Sequence, residues 1–128
     1  ESLDQREAGR TTEIITGQIK GSLAGFDATQ LAELTIAYEP VWAIGTGKAA
    51  SPEQAILIHQ TIRQFLQQEW SSTIAQGTRI LYGGSVTPQN ASSFFAADEI
   101  DGALVGGACL KVESFANIIS LAQKRTGH

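Results

Sequence analysis

Methionine is absent from these 128 residues, cysteine occurs once, proline three times and histidine twice. Each scarcity closes off a class of protein. A lone cysteine, Cys109, allows no internal disulfide. Without a second cysteine or a nearby histidine it makes no metal-site spacing either, so it reads as a small packed residue in a chain from a reducing, cytoplasmic compartment. No apolar stretch approaches the ~20 residues of a membrane span, and Glu1-Ser2-Leu3-Asp4 is nothing like a signal peptide. Nine Lys and Arg, none gathered into a run, leave a net charge of −4 and no electrostatic reason to expect nucleic acid or an anionic membrane as partner. Any phosphate must be held locally. A chain that begins at Glu1 and contains no methionine is expected to be a fragment of a longer product.

What is present suffices for one globular core. At 42% hydrophobic and 17% charged, residues 1–128 are expected to lie in a single domain. From Arg10 to about Leu23, Ile15, Ile19 and Leu23 recur four apart, the spacing of an amphipathic helix that Gly25 ends. Leu34-Thr35-Ile36-Ala37-Tyr38 is β-branched and aromatic, too short for a helix, and stops at Pro40, which predicts a strand. A glycine-containing loop runs from Pro40 to Ala50, long for an α/β connection and suspect as functional for that reason.

Ser51-Pro52-Glu53-Gln54 carries every signal of a helix start: an N-cap, a proline at the first position, an acid in the first turn and a capping-box glutamine. The helix should run to about Glu69 and bury Ala55, Ile58, Ile62, Phe65 and Leu66. Arg79-Ile80-Leu81-Tyr82 predicts a second strand ending in Gly83-Gly84-Ser85. Thr87-Pro88 predicts the next helix start, with Ala91, Phe94 and Phe95 packing. Gly102-Ala103-Leu104-Val105 repeats the unit, ends in Gly106-Gly107, and precedes a short turn near Ala108 and a last helix with Phe115, Ile118, Ile119 and Ala122 on one face. The pattern is therefore α/β, with three successive strand–loop–helix units whose strands are continuous apolar runs, as buried parallel strands are. Glycines recur at the carboxyl ends of the strands, where parallel α/β folds bind ligands.

Glu39 falls at the mouth of the first predicted strand, beside a loop able to close over it. Closure removes water, raises a carboxylate's pKa and suits it to take a proton from a carbon next to a carbonyl; the alternative is a strand-end salt bridge. Gly45-Thr46-Gly47-Lys48 is not a P-loop, because that pattern needs glycine where Trp42 stands and Ser or Thr where Ala49 stands. Its glycines fit a mobile lid between Pro40-Val41-Trp42 and Lys48-Ala49-Ala50, or an ordinary glycine loop. Gly83-Gly84-Ser85 and Gly106-Gly107 would bring backbone N–H groups close to a ligand, and an anion is the natural one. His59 reads as a half-buried structural residue, His128 ends the chain, and Trp70, Phe94 and Phe95 read as packing.

Ala37-Tyr38-Glu39-Pro40-Val41-Trp42-Ala43-Ile44-Gly45-Thr46-Gly47-Lys48 resembles the signature segment of the triosephosphate isomerases. Glu1 through Gly9, Tyr82 through Val86, and Asp101 through Gly107 with Leu110-Lys111 resemble the same family in the same order. The resemblance implies the C-terminal half of a (β/α)8 barrel, with three parallel strands and the barrel incomplete. It implies that Glu39 is the general base for the interconversion of dihydroxyacetone phosphate and glyceraldehyde 3-phosphate through an enediolate. Gly45, Ser85, Gly106 and Gly107 would be the phosphate donors, Tyr82 and Ser85 would hold the closed lid, and Ile44 with Leu104 would shield the base. Lid and hinge together would span Pro40, Val41, Trp42, Ala43, Ile44, Gly45, Thr46, Gly47 and Lys48, with Glu1 able to contact Trp42. No metal or organic cofactor is implied, since fixed donors can stabilise an enediolate.

The family's Asn, Lys and electrophilic His have no counterparts here. The resemblance therefore implies that an N-terminal half-barrel is needed for activity, that this chain alone is inactive, and that the intact family enzyme is a homodimer. Two readings compete with it: a non-catalytic half-barrel that binds phosphate or self-associates, and another phosphate-binding barrel enzyme, a class that lacks the Glu39–Pro40–Trp42 lid.

Overall fold

The computed structural model describes residues 1–44 and 49–125. Three short helices and a longer one surround the first half of the chain: α1 (Leu3–Glu7), α2 (Thr11–Ser22), α3 (Ala28–Leu31) and, after strand β1 (Thr35–Tyr38), α4 (Pro52–Glu69). Then follow α5 (Ser72–Gly77), β2 (Arg79–Tyr82), α6 (Ala91–Phe95), β3 (Gly102–Ala103) and α7 (Val112–Arg125). Two 3₁₀ turns, Val41–Ala43 and Gly107–Leu110, follow β1 and β3. The strands form one parallel sheet in chain order, β1-β2-β3, with Tyr38 opposite Tyr82 and Tyr82 opposite Ala103. β1 and β3 are both edges, so the sheet is open, as a partial barrel requires.

The core sits between the sheet and α4. Ile58, Ile62 and Leu66 on α4 are buried in one cluster with Ile80 and Tyr82 of β2, and Tyr82 stacks on Phe94 with ring centres 4.1 Å apart. Each such aliphatic side chain contributes about 1.5–3 kcal/mol of burial. α4 starts where its capping box places it: the Ser51 hydroxyl accepts from Gln54 N, and the Gln54 side chain accepts from Ser51 N. Just before β3, Asp101 Oδ2 meets the Arg63 guanidinium of α4 at 2.7 Å, and the same oxygen accepts from Ile80 N at 2.8 Å. Among the described residues no helix is long and apolar enough to cross a membrane.

Several expectations change. The strands are not buried on both sides: β1 exposes Thr35 and Ala37 while burying Tyr38, the alternation of a sheet covered on one face. The third strand is two residues long rather than four, although Leu104 N still donates to Tyr82 O. The helix expected to start at Thr87-Pro88 starts at Ala91, because the Asn90 side chain accepts from Thr87 N and holds residues 87–90 in a turn. On α7 Ile118 is buried, but Phe115 and Ile119 stay exposed. His59 is fully buried rather than half-buried. α1, α3 and α5 were not expected; Ser2 with Gln5 and Asp27 with Gln30 form capping boxes on the first two, and the Ser71 hydroxyl caps the third.

Candidate functional site

Parallel strands put all three carboxyl ends at one edge of the sheet, and with them Glu39, Gly83-Gly84-Ser85 and Gly106-Gly107. These segments share a cavity of about 790 Å³, lined among others by Glu39, Ile44, Ser85, Leu104, Gly106 and Gly107. Glu39 and the two glycines, nearly seventy positions apart in the chain, therefore line one space.

Glu39 is exposed here, as are Ile44 (51%) and Leu104 (49%), the two side chains expected to shield it. The cavity is open and the carboxylate is solvated. Gly83 is required by close approach: a Cβ there would lie 2.8 Å from Glu39 Cγ and 3.2 Å from the Tyr38 carbonyl, which accepts from Gly83 N at 2.8 Å. A Cβ on Gly84 would fall on the Tyr82 hydroxyl. That hydroxyl is buried and has no hydrogen-bond partner among the described residues, and burial raises its pKa. It is the group expected to hold a closed lid.

Gly106 and Gly107 are exposed, and a Cβ on either would meet nothing within 4 Å, so approach to their backbone is unobstructed. Gly107 opens the 3₁₀ turn, closed by Cys109 N donating to Gly106 O at 2.9 Å. Ser85 is exposed on the cavity wall, and its carbonyl accepts from Asn90 Nδ2 at 3.0 Å. Asn90 thus fastens both ends of the turn behind Ser85, a role the sequence reading missed.

On the far side of Glu39 lies a smaller hollow of about 270 Å³, lined by Glu1, Ile15, Ile19, Tyr38, Glu39 and Val41. Here the Trp42 indole donates to Glu1 Oε1 at 3.2 Å, so the expected contact between Glu1 and the hinge tryptophan is present. Tyr38 donates its hydroxyl to the same carboxylate at 3.3 Å; burial, and then the Glu1 charge, push that phenol well above its usual range. Arg6 completes the cluster, 3.1 Å from Glu1 and with its guanidinium carbon 4.6 Å from the centre of the Trp42 ring. Pro40, Trp42 and Ala43 are buried and Val41 is exposed. Gly45, Thr46, Gly47 and Lys48, expected as the lid's tip and, for Gly45, as a phosphate donor, lie outside the described residues, as does His128.

His59 takes no part in the cavity. Its Nδ1 lies 3.3 Å from the Glu99 carbonyl, its ring meets Tyr38 edge-on, and burial pushes its pKa down to about 4. Lys111, just past the last turn, does line the cavity; the sequence named it only within the resemblance and gave it no site role. Its signal was weak: a single basic residue a few positions after a glycine pair.

Comparison with known proteins gives a consistent answer. The family model described as triosephosphate isomerase matches residues 1–122. The chain is 54% identical over 122 residues to the triosephosphate isomerase of Rhodopirellula baltica, covering 95% of this chain and 48% of that protein. It is 51% identical over 119 residues to that of Trichlorobacter lovleyi (93% and 47%) and 50% over 124 residues to that of Prosthecochloris aestuarii (97% and 48%). The chain spans about half the length of the curated relatives it matches.

Proposed function

Because the chain belongs to the triosephosphate isomerase family, we propose that it supplies the proton-carrying and phosphate-holding part of a triose-phosphate isomerase site, within a single (β/α)8 domain completed by a further segment. The observation that carries this reading is the shared cavity of Glu39 with Ser85, Gly106 and Gly107. Backbone amides of the two glycines and of Ser85 hold the phosphate of dihydroxyacetone phosphate, and Gly45 of the lid adds a fourth donor. The Glu39 carboxylate takes a proton from the carbon beside the carbonyl, leaving an enediolate, and returns it to the adjacent carbon to give glyceraldehyde 3-phosphate. No net redox change occurs.

Closure of the segment Pro40 to Lys48 would bring Ile44 toward Leu104 over the base and let Tyr82 and Ser85 hold it. Desolvation would then strengthen Glu39 as a base. The carbonyl still needs a polarising donor, and no described residue of this cavity offers a histidine or an asparagine for that task. The site is therefore completed by an N-terminal half-barrel, in a cytoplasmic enzyme whose intact form is a homodimer.

The test is complementation. This chain alone should give isomerase activity no higher than its Glu39→Gln variant, and adding the missing half should restore turnover to the first and not to the second. In the reassembled enzyme Glu39→Asp, which draws the carboxylate back by one methylene, should cost on the order of 10²-fold in kcat. Near-normal turnover by Glu39→Asp and Glu39→Gln alike removes Glu39 as the base.

A second reading has one observation in its favour. Leu110 (84% exposed) and Val112 (85%) stand in solvent beside the exposed Phe115 and Ile119, apolar surface that suits a non-catalytic, self-associating half-barrel. A sedimentation measurement decides: a closed dimer of this chain that persists when the N-terminal half is added supports it, and exchange of that dimer for the two-piece complex opposes it.

A further inference from the structure

The larger cavity holds two charged side chains among the described residues that line it, Glu39 and Lys111. One is the base. The other is an exposed part of the wall, in a chain whose net charge of −4 repels a phosphate monoester that itself carries about −1.5 to −2 near neutral pH. Lys111 is exposed, and its ammonium makes no ion pair among the described residues. Its backbone, by contrast, is fixed: the Lys111 carbonyl accepts from Phe115 N at 3.0 Å, which places the residue at the head of the 14-residue α7. The acid of that first turn, Glu113, is not among the cavity's lining residues.

We propose that Lys111 is a capture residue for the phosphate dianion: it draws the anion into the cavity, where the amides of Gly106 and Gly107 then hold it. The proposal rests on the phosphate site of the preceding section and adds to it the one cation of the described wall. A charge on a flexible, hydrated stem acts at a distance and through solvent, so its contribution is to capture and is sensitive to salt. At a separation of about 7 Å in water, one unit charge facing a dianion accounts for roughly three- to tenfold in affinity at low ionic strength.

The experiment uses the 128-residue chain labelled with nitrogen-15 and reassembled with its unlabelled N-terminal half, with inorganic phosphate as the probe. In the unsubstituted chain the Gly106 and Gly107 amide resonances should move on titration. In Lys111→Gln the same resonances should move with a dissociation constant about three- to tenfold higher at low salt, and the difference should shrink toward nothing at about 0.5 M salt. Lys111→Arg should behave as the unsubstituted chain, and Lys111→Glu should be weaker than the glutamine variant. An unchanged dissociation constant in Lys111→Gln overturns the role of Lys111 and leaves the phosphate site standing. A loss equally large at low and high salt also overturns it, because the residue then acts through local structure. No amide response in the unsubstituted chain overturns the phosphate site itself and the capture role with it.

Discussion

Replacing Gly83 by alanine tests whether the carboxylate's position, and not merely its presence, matters. The new Cβ would stand 2.8 Å from Glu39 Cγ, where carbon atoms normally approach to about 3.5–4.0 Å. Relief requires a shift of roughly 0.7–1.2 Å. Its other neighbour, the Tyr38 carbonyl at 3.2 Å, is tied to Gly83 N at 2.8 Å and yields less readily than a side chain at the exposed edge. Glu39 therefore moves, and it moves near the root of its side chain, so the carboxylate moves too. A displacement of that size costs a positioned proton transfer on the order of 10²-fold. Gly83 does not have a positive φ, so alanine adds no backbone strain, and the stability change should stay within about 1 kcal/mol. The assay is paired: isomerase kinetics in the enzyme reassembled with its N-terminal half, and urea unfolding of the chain itself. Gly77→Ala is the control, since a Cβ there meets nothing within 4 Å; it should leave turnover unchanged. Turnover of Gly83→Ala within about threefold of the unsubstituted enzyme, at unaltered stability, would refute the claim that Gly83 sets the place of the base.

His59 makes stability fall on the acid side. Its folded pKa of about 4 lies below the unfolded value near 6.5, so the stability it lends is whole above pH 6.5 and is lost as pH falls toward 4, by about 3 kcal/mol in all. Urea unfolding at pH 7 and pH 5 should differ by about 2 kcal/mol from this group, and His59→Leu should flatten that slope; an identical slope in the variant counts against it. Asp101 should matter to a helix and a strand at once. Asp101→Ala strips a partner from Arg63 and from Ile80 N and should cost about 2 kcal/mol, while Asp101→Asn, which keeps an acceptor for Ile80 N, should cost less; equal losses by thermal or urea unfolding would contradict the shared-oxygen account.

Much of this was written in local pattern. The start of α4 follows from four adjacent residues, because Ser51 and Gln54 satisfy each other's backbone groups without help from the rest of the chain. Glu39 could be placed at a ligand edge from the strand that ends at Tyr38 and the proline that follows. The start of α6 could not: Thr87-Pro88 carries an ordinary cap-and-proline signal, and it is the Asn90 side chain, reaching back to Thr87 and Ser85, that delays the helix. Arg63 and Asp101 lie 38 positions apart, and nothing in either neighbourhood announces the other. The complete burial of His59 was hidden for a similar reason, since it depends on Tyr38 and on the turn at Glu99 closing over it. The shortness of β3 and the exposure of Phe115 and Ile119 depend on what covers them, which no pattern within their own segments can state.

The side-by-side order of the three strands bears on how such a polypeptide is made. No later stretch has to slip between two that are already joined, so each can settle against its predecessor as it leaves the ribosome. Either flank can then accept a newcomer without anything being undone.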